Sequence, residues 1–261
     1  MQFLILNWEN GRTSRNSRFT ESIEGGLFLI KEKAEKVVAI VLAAGQGTRM
    51  NSPIQKQFLL VKGKPLVYYS LLEFQESDVD EIILVVSPGC IESCRQDIVE
   101  TYNFDKVVKI IEGGQERYNS VYNGIKAIGS CAYLLIHDGA RPFVDQEIIK
   151  RTIESVKEYR ACVVGMPVKD TIKIADGKEF IKETPDRSLL WQIQTPQAFE
   201  YSLVKDAYEK VLDLADINVT DDAMVVEAAT DIKVKLIRGS YENIKITTPE
   251  DLKIAEVFCC R

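Results

Sequence analysis

An α/β fold, a doubly wound and mostly parallel sheet with an inserted β-hairpin arm, is what this sequence predicts, and three features carry the expectation. From Val37 onward, short apolar runs bounded by turn residues alternate with amphipathic stretches of helical length, the pattern of successive βαβ units. The first run, residues 37–42, is apolar throughout, which suits a strand covered on both faces. The alternation is interrupted at residues 171–184, where two short β-prone segments flank Ala-Asp-Gly-Lys, and Asp-Gly is a strong hairpin signal.

The elements follow in order. Gly63-Lys64-Pro65-Leu66 opens a helix through Glu76, with Pro65 suited to a first turn because its missing N–H would be unpaired there anyway. Residues 82–87 form a second buried strand that stops at Pro88-Gly89; 91–101 read as helix and 107–111 as strand. Residues 117–128 place Val121, Ile125 and Ile128 at i, i+4 and i+7, one face of a helix. Strand 133–136, helix 146–158 and strand 161–168 complete the first part. The arm, about 169–188, comes next; a two-stranded hairpin is marginal alone, so an arm of this length needs something to pack against. Strand 190–195, helices 202–213 and 221–229, strands 232–237 and 244–247, and a helix from Pro249 close the chain. No internal repeat or low-complexity linker divides residues 37–261, which read as one domain. Residues 1–36 lack this periodicity; the apolar run at 3–6 is too short for a secretory core, and the segment is expected to be a mobile extension or an upstream start-site artefact.

Composition narrows the function classes. With 46% hydrophobic and 28% charged residues the chain can build a sizeable core, and no apolar run approaches the roughly 20 residues that span a bilayer. A net charge of −6 argues against a nucleic-acid-coating surface while leaving room for a local cationic pocket. Six cysteines without paired C-x-x-C spacing read as reduced thiols of a cytoplasmic protein. The single histidine, His137, is poor equipment for Ser-His-Asp hydrolysis and reads as a structural residue holding Asp138 and Arg141 in place.

The chemistry gathers where the first strand ends. Ala43-Ala44-Gly45 is too small to cover its own backbone, Gly45 and Gly47 allow main-chain N–H groups to approach a ligand, and Arg49 and Lys56 follow as fixed cations. Strand, bare loop and cations suggest a triphosphate site at the carboxyl end of a sheet strand. The P-loop string is absent, and the dinucleotide fingerprint would need glycine where Met50 stands. Gly113-Gly114 follows another strand and permits close approach to a flat base, and Asp138 ends a buried strand, the usual place for a functional carboxylate in such a sheet.

Five strings carry a resemblance: Leu42-Ala43-Ala44-Gly45-x-Gly47-Thr48-Arg49-Met50 followed by Lys56-Gln57-Phe58; Glu116-Arg117-Tyr118-Asn119-Ser120-Val121; His137-Asp138-Gly139-Ala140-Arg141-Pro142-Phe143; Gln194-Thr195-Pro196-Gln197-Ala198-Phe199; and 243–252. In order and spacing, from about Val37 to the C-terminus, they resemble the sugar-phosphate nucleotidyltransferases, and among these the 2-C-methyl-D-erythritol 4-phosphate cytidylyltransferase family. The resemblance implies a Rossmann-like nucleotidyltransferase fold, Mg²⁺ with CTP as co-substrate, and a homodimer formed through the hairpin arms. It implies that Arg49, Lys56, Arg187 and Lys245 carry the catalysis. Ala43, Ala44, Gly45, Gly47, Gly114, Arg117, Ser120, Asp138 and Gly139 would hold the nucleotide. Asp138, Arg141, Thr171, Arg187, Thr220 and Lys245 would grip the sugar phosphate, with Thr171 and Arg187 reaching across from a partner subunit. Asp138 would also serve as a metal ligand. Such a transfer needs positioned cations more than a base, because the acceptor phosphate, with its second pKa near ~6, is already largely dianionic at neutral pH.

Two departures stand out. The family often has proline directly before the loop lysine, where this chain has Gln55, and some relatives carry Asp at the position of Gln115. The alternatives are a ribitol-5-phosphate cytidylyltransferase of the same fold, and a non-catalytic nucleotide-binding module. Against the second stand four cations that binding alone does not require.

Overall fold

The apolar runs of the sequence become the strands of a seven-stranded sheet, and the segments between them become helices on its two faces. The structure is a computed structural model and describes residues 20–23, 26–29, 35–45, 55–212 and 219–259. The chain divides into two units, ending and beginning at Glu35 and Lys36. Of the first unit, strands β1 (Thr20–Ile23) and β2 (Gly26–Leu29) are described, paired antiparallel.

The second unit begins with β3 (Val37–Ala43), buried along almost its whole length. Its alternate residues feed two cores. Val37, Ala39, Val41 and Ala43 join one, and Val38 and Ile40 the other, which is why the run reads as continuously apolar. After β3 come a short hairpin, β4 (Leu60–Val61) and β5 (Lys64–Pro65), then α1 (Leu66–Glu76), β6 (Glu81–Val86), α2 (Ile91–Cys94) and β7 (Val107–Glu112). The helix expected over 91–101 is split: α2 gives way to a π-helical turn, Arg95–Glu100. Next are α3 (Arg117–Ala127), β8 (Tyr133–Asp138), α4 (Gln146–Tyr159) and β9 (Ala161–Pro167). Helix α4 starts because the Asp145 carboxylate accepts the Ile148 N–H at 2.7 Å, and it stops at Arg160, which turns left-handed at φ 67°.

The arm is formed by β10 (Ile174–Ala175) and β11 (Ile181–Glu183), paired antiparallel as expected. Both strands are exposed throughout, and Ile174, Phe180 and Ile181 present large apolar side chains to solvent. Then β12 (Trp191–Glu200), α5 (Tyr201–Leu212), α6 (Asp222–Ala229), β13 (Lys235–Arg238) and α7 (Pro249–Phe258) finish the chain.

Across the sheet the order is β13-β9-β12-β8-β3-β6-β7. All neighbours are parallel except β12, which runs antiparallel to both β8 and β9. Two strand expectations are corrected. Residues 190–195 are only the first part of β12, which continues past Pro196 to Glu200 with its register to β9 shifting between Ile193 and Gln197, so the proline falls where the ladder is already irregular. Residues 244–247 are not a strand; Ile246 is buried and its N–H bonds to Ala140 O at 2.8 Å, so the apolar residues serve a separate small core without a ladder.

Parallel pairing sets the site. Leu42 lies opposite Asp138 and Ala43 opposite Val86, so β3, β6 and β8 all end at one edge of the sheet.

Candidate active site

That edge opens into a cleft of about 750 Å³, lined by Ala44, Gly45 and Lys56 from the loop after β3, Ser87 after β6, Gly113–Arg117 and Ser120 around the start of α3, Asp138 at the end of β8, and Lys245. Side chains far apart in sequence thus share one cavity because parallel strands discharge their loops at the same end.

Its electrostatic centre is the Asp138 carboxylate. Lys245 Nζ stands 2.7 Å from Oδ2, Arg117 Nε 3.2 Å from Oδ1, and Arg141 Nε 4.0 Å from Oδ2. Burial alone would raise the pKa of Asp138, but Arg117, Lys245 and Arg141 outweigh it and hold the carboxyl well below the ordinary range. The carboxylate is therefore ionised at any working pH and gathers three cations around one point.

Arg117 is itself fixed from behind. Its two terminal nitrogens make a bidentate pair with the fully buried Asp222, at 3.0 and 2.8 Å. Burial works against its charge, but Asp222 and then Asp138 more than compensate, so the guanidinium stays charged. Asp222 also accepts the Tyr208 hydroxyl at 2.6 Å, while the N–H groups of Asp222 and Ala223 both reach Gln197 Oε1 at 3.0 Å. Asp221 caps α6 through the Met224 N–H at 3.0 Å. Sequence reasoning singled out Thr220 in this segment and gave no role to Asp222 or Tyr208. A buried carboxylate beside a helix start carries no local signal of a partner 105 positions away.

His137 is structural, as expected. The Thr195 hydroxyl accepts the Asp138 N–H at 3.1 Å, so its own proton goes to His137 Nδ1 at 3.0 Å, and Nε2–H then donates to Arg141 O at 3.2 Å. Full burial pushes its pKa down to about 4, keeping the ring neutral. Arg141 sits behind the cleft, donating to Asn243 O at 2.8 Å; it supports Asp138 and does not line the cavity.

On the opposite wall, Gly114 N–H donates to Ser120 Oγ at 3.0 Å, and Ser120 Oγ donates to Glu116 O at 3.1 Å. Glu116 and Asn119 form a capping box at the start of α3. A β-carbon on Gly113 would lie 2.6 Å from the Ala44 β-carbon and 2.7 Å from Ser120 Oγ, so the two loops touch only because glycine is there. Gly139 is needed for packing, since a β-carbon would lie 2.9 Å from Leu42 O.

Of the remaining expected residues, Ala43 ends β3 and its carbonyl accepts the Gln57 amide at 2.5 Å. Gly47 and Arg49 lie outside the described residues. Thr171, Arg187 and Thr220 are exposed and do not line the cleft of their own chain; Arg187 Nη1 donates to Lys169 O at 2.8 Å at the base of the arm.

Among the described residues no three His, Cys, Asp or Glu side chains gather as a metal cage. Both oxygens of Asp138 are already met by cations. A divalent ion would be held here chiefly by other oxygens and its own waters, and Asp138 would add a ligand only in exchange for Lys245 or Arg117.

The family model described as 2-C-methyl-D-erythritol 4-phosphate cytidylyltransferase matches residues 37–261. The chain is similar to a protein of that name from Lachnoclostridium phytofermentans, 49% identical over 224 residues and covering 86% of this chain and 96% of the relative. A second, from Lachnospira eligens, is 52% identical over 222 residues, covering 84% and 97%. Among solved structures it resembles the 4-diphosphocytidyl-2C-methyl-D-erythritol synthase of Anaerococcus prevotii, with a TM-score of 0.77, 35% identity, and 87% of this chain and 97% of that one covered. The cytidylyltransferase of Thermus thermophilus matches with a TM-score of 0.71 at 29% identity, covering 87% of this chain and 100% of that one.

Proposed function

The chain belongs to the 2-C-methyl-D-erythritol 4-phosphate cytidylyltransferase family, and from that premise we propose how its own residues carry out the transfer. The reaction moves CMP from CTP to 2-C-methyl-D-erythritol 4-phosphate, giving 4-diphosphocytidyl-2-C-methyl-D-erythritol and pyrophosphate, a step of isoprenoid precursor synthesis by the non-mevalonate route. The observation that carries the assignment of roles is the convergence of Arg117 and Lys245 on the ionised Asp138 in the cleft that Lys56 also lines.

The base lies against Gly114 and Ser120, and the triphosphate lies along the Ala43-Ala44-Gly45 loop with Lys56, joined by Gly47 and Arg49. An oxygen of the acceptor phosphate attacks the α-phosphorus and the bond to pyrophosphate breaks. Charge rising on the bridging and equatorial oxygens is met by Lys56 and Arg49, while Lys245 and Asp138 orient the acceptor. No group need remove a proton, in keeping with a neutral, buried His137. Mg²⁺, held by the triphosphate with Asp138 the side chain that would add a ligand, would neutralise phosphate charge.

The grip on the acceptor is completed by Thr220 and, from a second copy of the chain, by Thr171 and Arg187. Two features support a homodimer through the arms: the open apolar side chains of the arm, and the position of Thr171 and Arg187 outside their own chain's cleft. Cytoplasmic location fits cysteines that form no disulfide among the described residues. Residues 37–261 are proposed as the catalytic unit, so a chain truncated to begin at Lys36 is expected to keep the parent kcat; a large loss would assign residues 1–35 a part in catalysis.

The activity is tested by pyrophosphate release with CTP and Mg²⁺, offering 2-C-methyl-D-erythritol 4-phosphate or ribitol 5-phosphate. Release with the methylerythritol substrate is expected. Release with ribitol phosphate alone would move the protein to the sister activity, and CTP binding without release would make it a binding module.

A further inference from the structure

We propose that Gln55 is a positioning residue for this transfer: its side-chain amide ties the turn carrying Lys56 to the ends of β3 and β6. The inference rests on the role given to Lys56 above.

Lys56 begins a single 3-10 turn, Lys56–Phe58, whose N-cap residue Gln55 makes no side-chain bond to the turn's own backbone. One such turn supplies little rigidity of its own. The Gln55 amide points the other way. Its Oε1 accepts from Gln57 Nε2 at 2.7 Å and from Ser87 Oγ at 2.9 Å. Gln57, almost wholly buried, also donates to Ala43 O at 2.5 Å, and Ser87 Oγ lies 3.1 Å from Ala44 O. One amide oxygen therefore joins a hydroxyl beyond β6 to a second amide, and both partners reach the carbonyls of the small-residue loop on which the triphosphate rests. Gln55 Nε2, 3.9 Å from Cys90 Sγ, adds a weak contact to the segment after Ser87.

This matters because of the geometry of Lys56. The lysine stem has four flexible bonds, so the position of its ammonium depends on where its backbone is held and on what the stem packs against. Here Cε lies 3.9 Å from where a Gly45 β-carbon would stand, so the stem runs over the same loop that the amide bridge holds. Loosening the bridge lets turn and loop move apart, and a misplacement of about 1 Å at a reacting centre can cost up to ~100-fold in rate.

The test is kcat and KM for both substrates in Gln55→Ala, Ser87→Ala, the double variant and Lys56→Ala, by pyrophosphate release. Gln55→Ala is expected to lower kcat by about 10- to 100-fold while KM for CTP changes by less than about threefold. Ser87→Ala is expected to lower it similarly, and the double variant no further than the worse single one, because both remove one bridge. A Gln55→Ala enzyme with the parent kcat, or losses that multiply in the double variant, would overturn the inference. A Lys56→Ala enzyme with the parent kcat would sink the reading of Lys56 and this inference with it. Loss in Lys56→Ala beside an unimpaired Gln55→Ala enzyme would overturn this inference alone.

Discussion

At the scale of single residues, the site is a problem in keeping buried groups in one charge state. Asp138 stays ionised because three cations surround it, and His137 stays neutral because its loss of water outweighs the Asp138 charge and the Arg141 carbonyl, which favour a charged ring. The two make the same demand on pH. The folded pKa of His137, about 4, lies below the unfolded value near 6.5. In that window the unfolded chain binds the extra proton, so the contribution of His137 to stability is complete above pH ~6.5 and is lost as pH falls toward 4. The depressed carboxyl of Asp138 extends the loss to lower pH, since its contribution is present above the ordinary carboxylate pKa and disappears below it. Urea unfolding at pH 7 and pH 5 should show the parent losing about 2 kcal/mol more than His137→Gln. Equal losses in the two proteins would mean that the ring is charged in the folded state. The residue scale is also where sequence reading reached least far. His137, Asp138 and Lys245 could be placed in one site by resemblance, but Asp222 could not, since its work is done through a guanidinium from another helix. Gln55 stood out only as a departure, and its three-way bridge is a fact of geometry.

At the scale of elements, the sheet was legible because each apolar run is long, uninterrupted and bounded by turn residues; β3, β6, β8 and β9 fall within two residues of their expected bounds. What failed did so where packing overrides pattern. A proline inside β12 looked like an end because proline cannot donate to a ladder, yet the register shift beside it absorbs the defect. Residues 244–247 looked like a strand because Ile244 and Ile246 alternate with Lys245 and Thr247, yet the two isoleucines pack in a small core with residues of α7 and β4 without pairing. The loop after β7 makes its own prediction. Gly113 lets this loop close on Ala44 and Ser120, so Gly113→Ala must push the two walls of the proposed base pocket apart. Overpacking of this kind costs about 1–3 kcal/mol, and felt at the nucleotide it should raise KM for CTP about tenfold. Steady-state kinetics at saturating acceptor would check it. An unchanged KM would place the base elsewhere in the cleft.

At the scale of the whole molecule, the single chain offers a cleft rich in cations and an arm whose exposed apolar side chains and Arg187 do not line it. A hairpin exposed on every strand residue is a poor stable element alone and a good one against its own copy. The central claim at this scale is that a working site needs the cleft of one chain and the arm of another. It is tested most directly by mixing two variants that are each inactive, Lys56→Ala and Arg187→Ala, under conditions that exchange subunits, and measuring pyrophosphate release. In a mixed dimer one site carries both defects and the other carries neither. Random reassortment should therefore restore about a quarter of the parent activity, since half the dimers are mixed and each holds one intact site. A mixture as inactive as its two components would contradict the account and return Arg187 to its own chain.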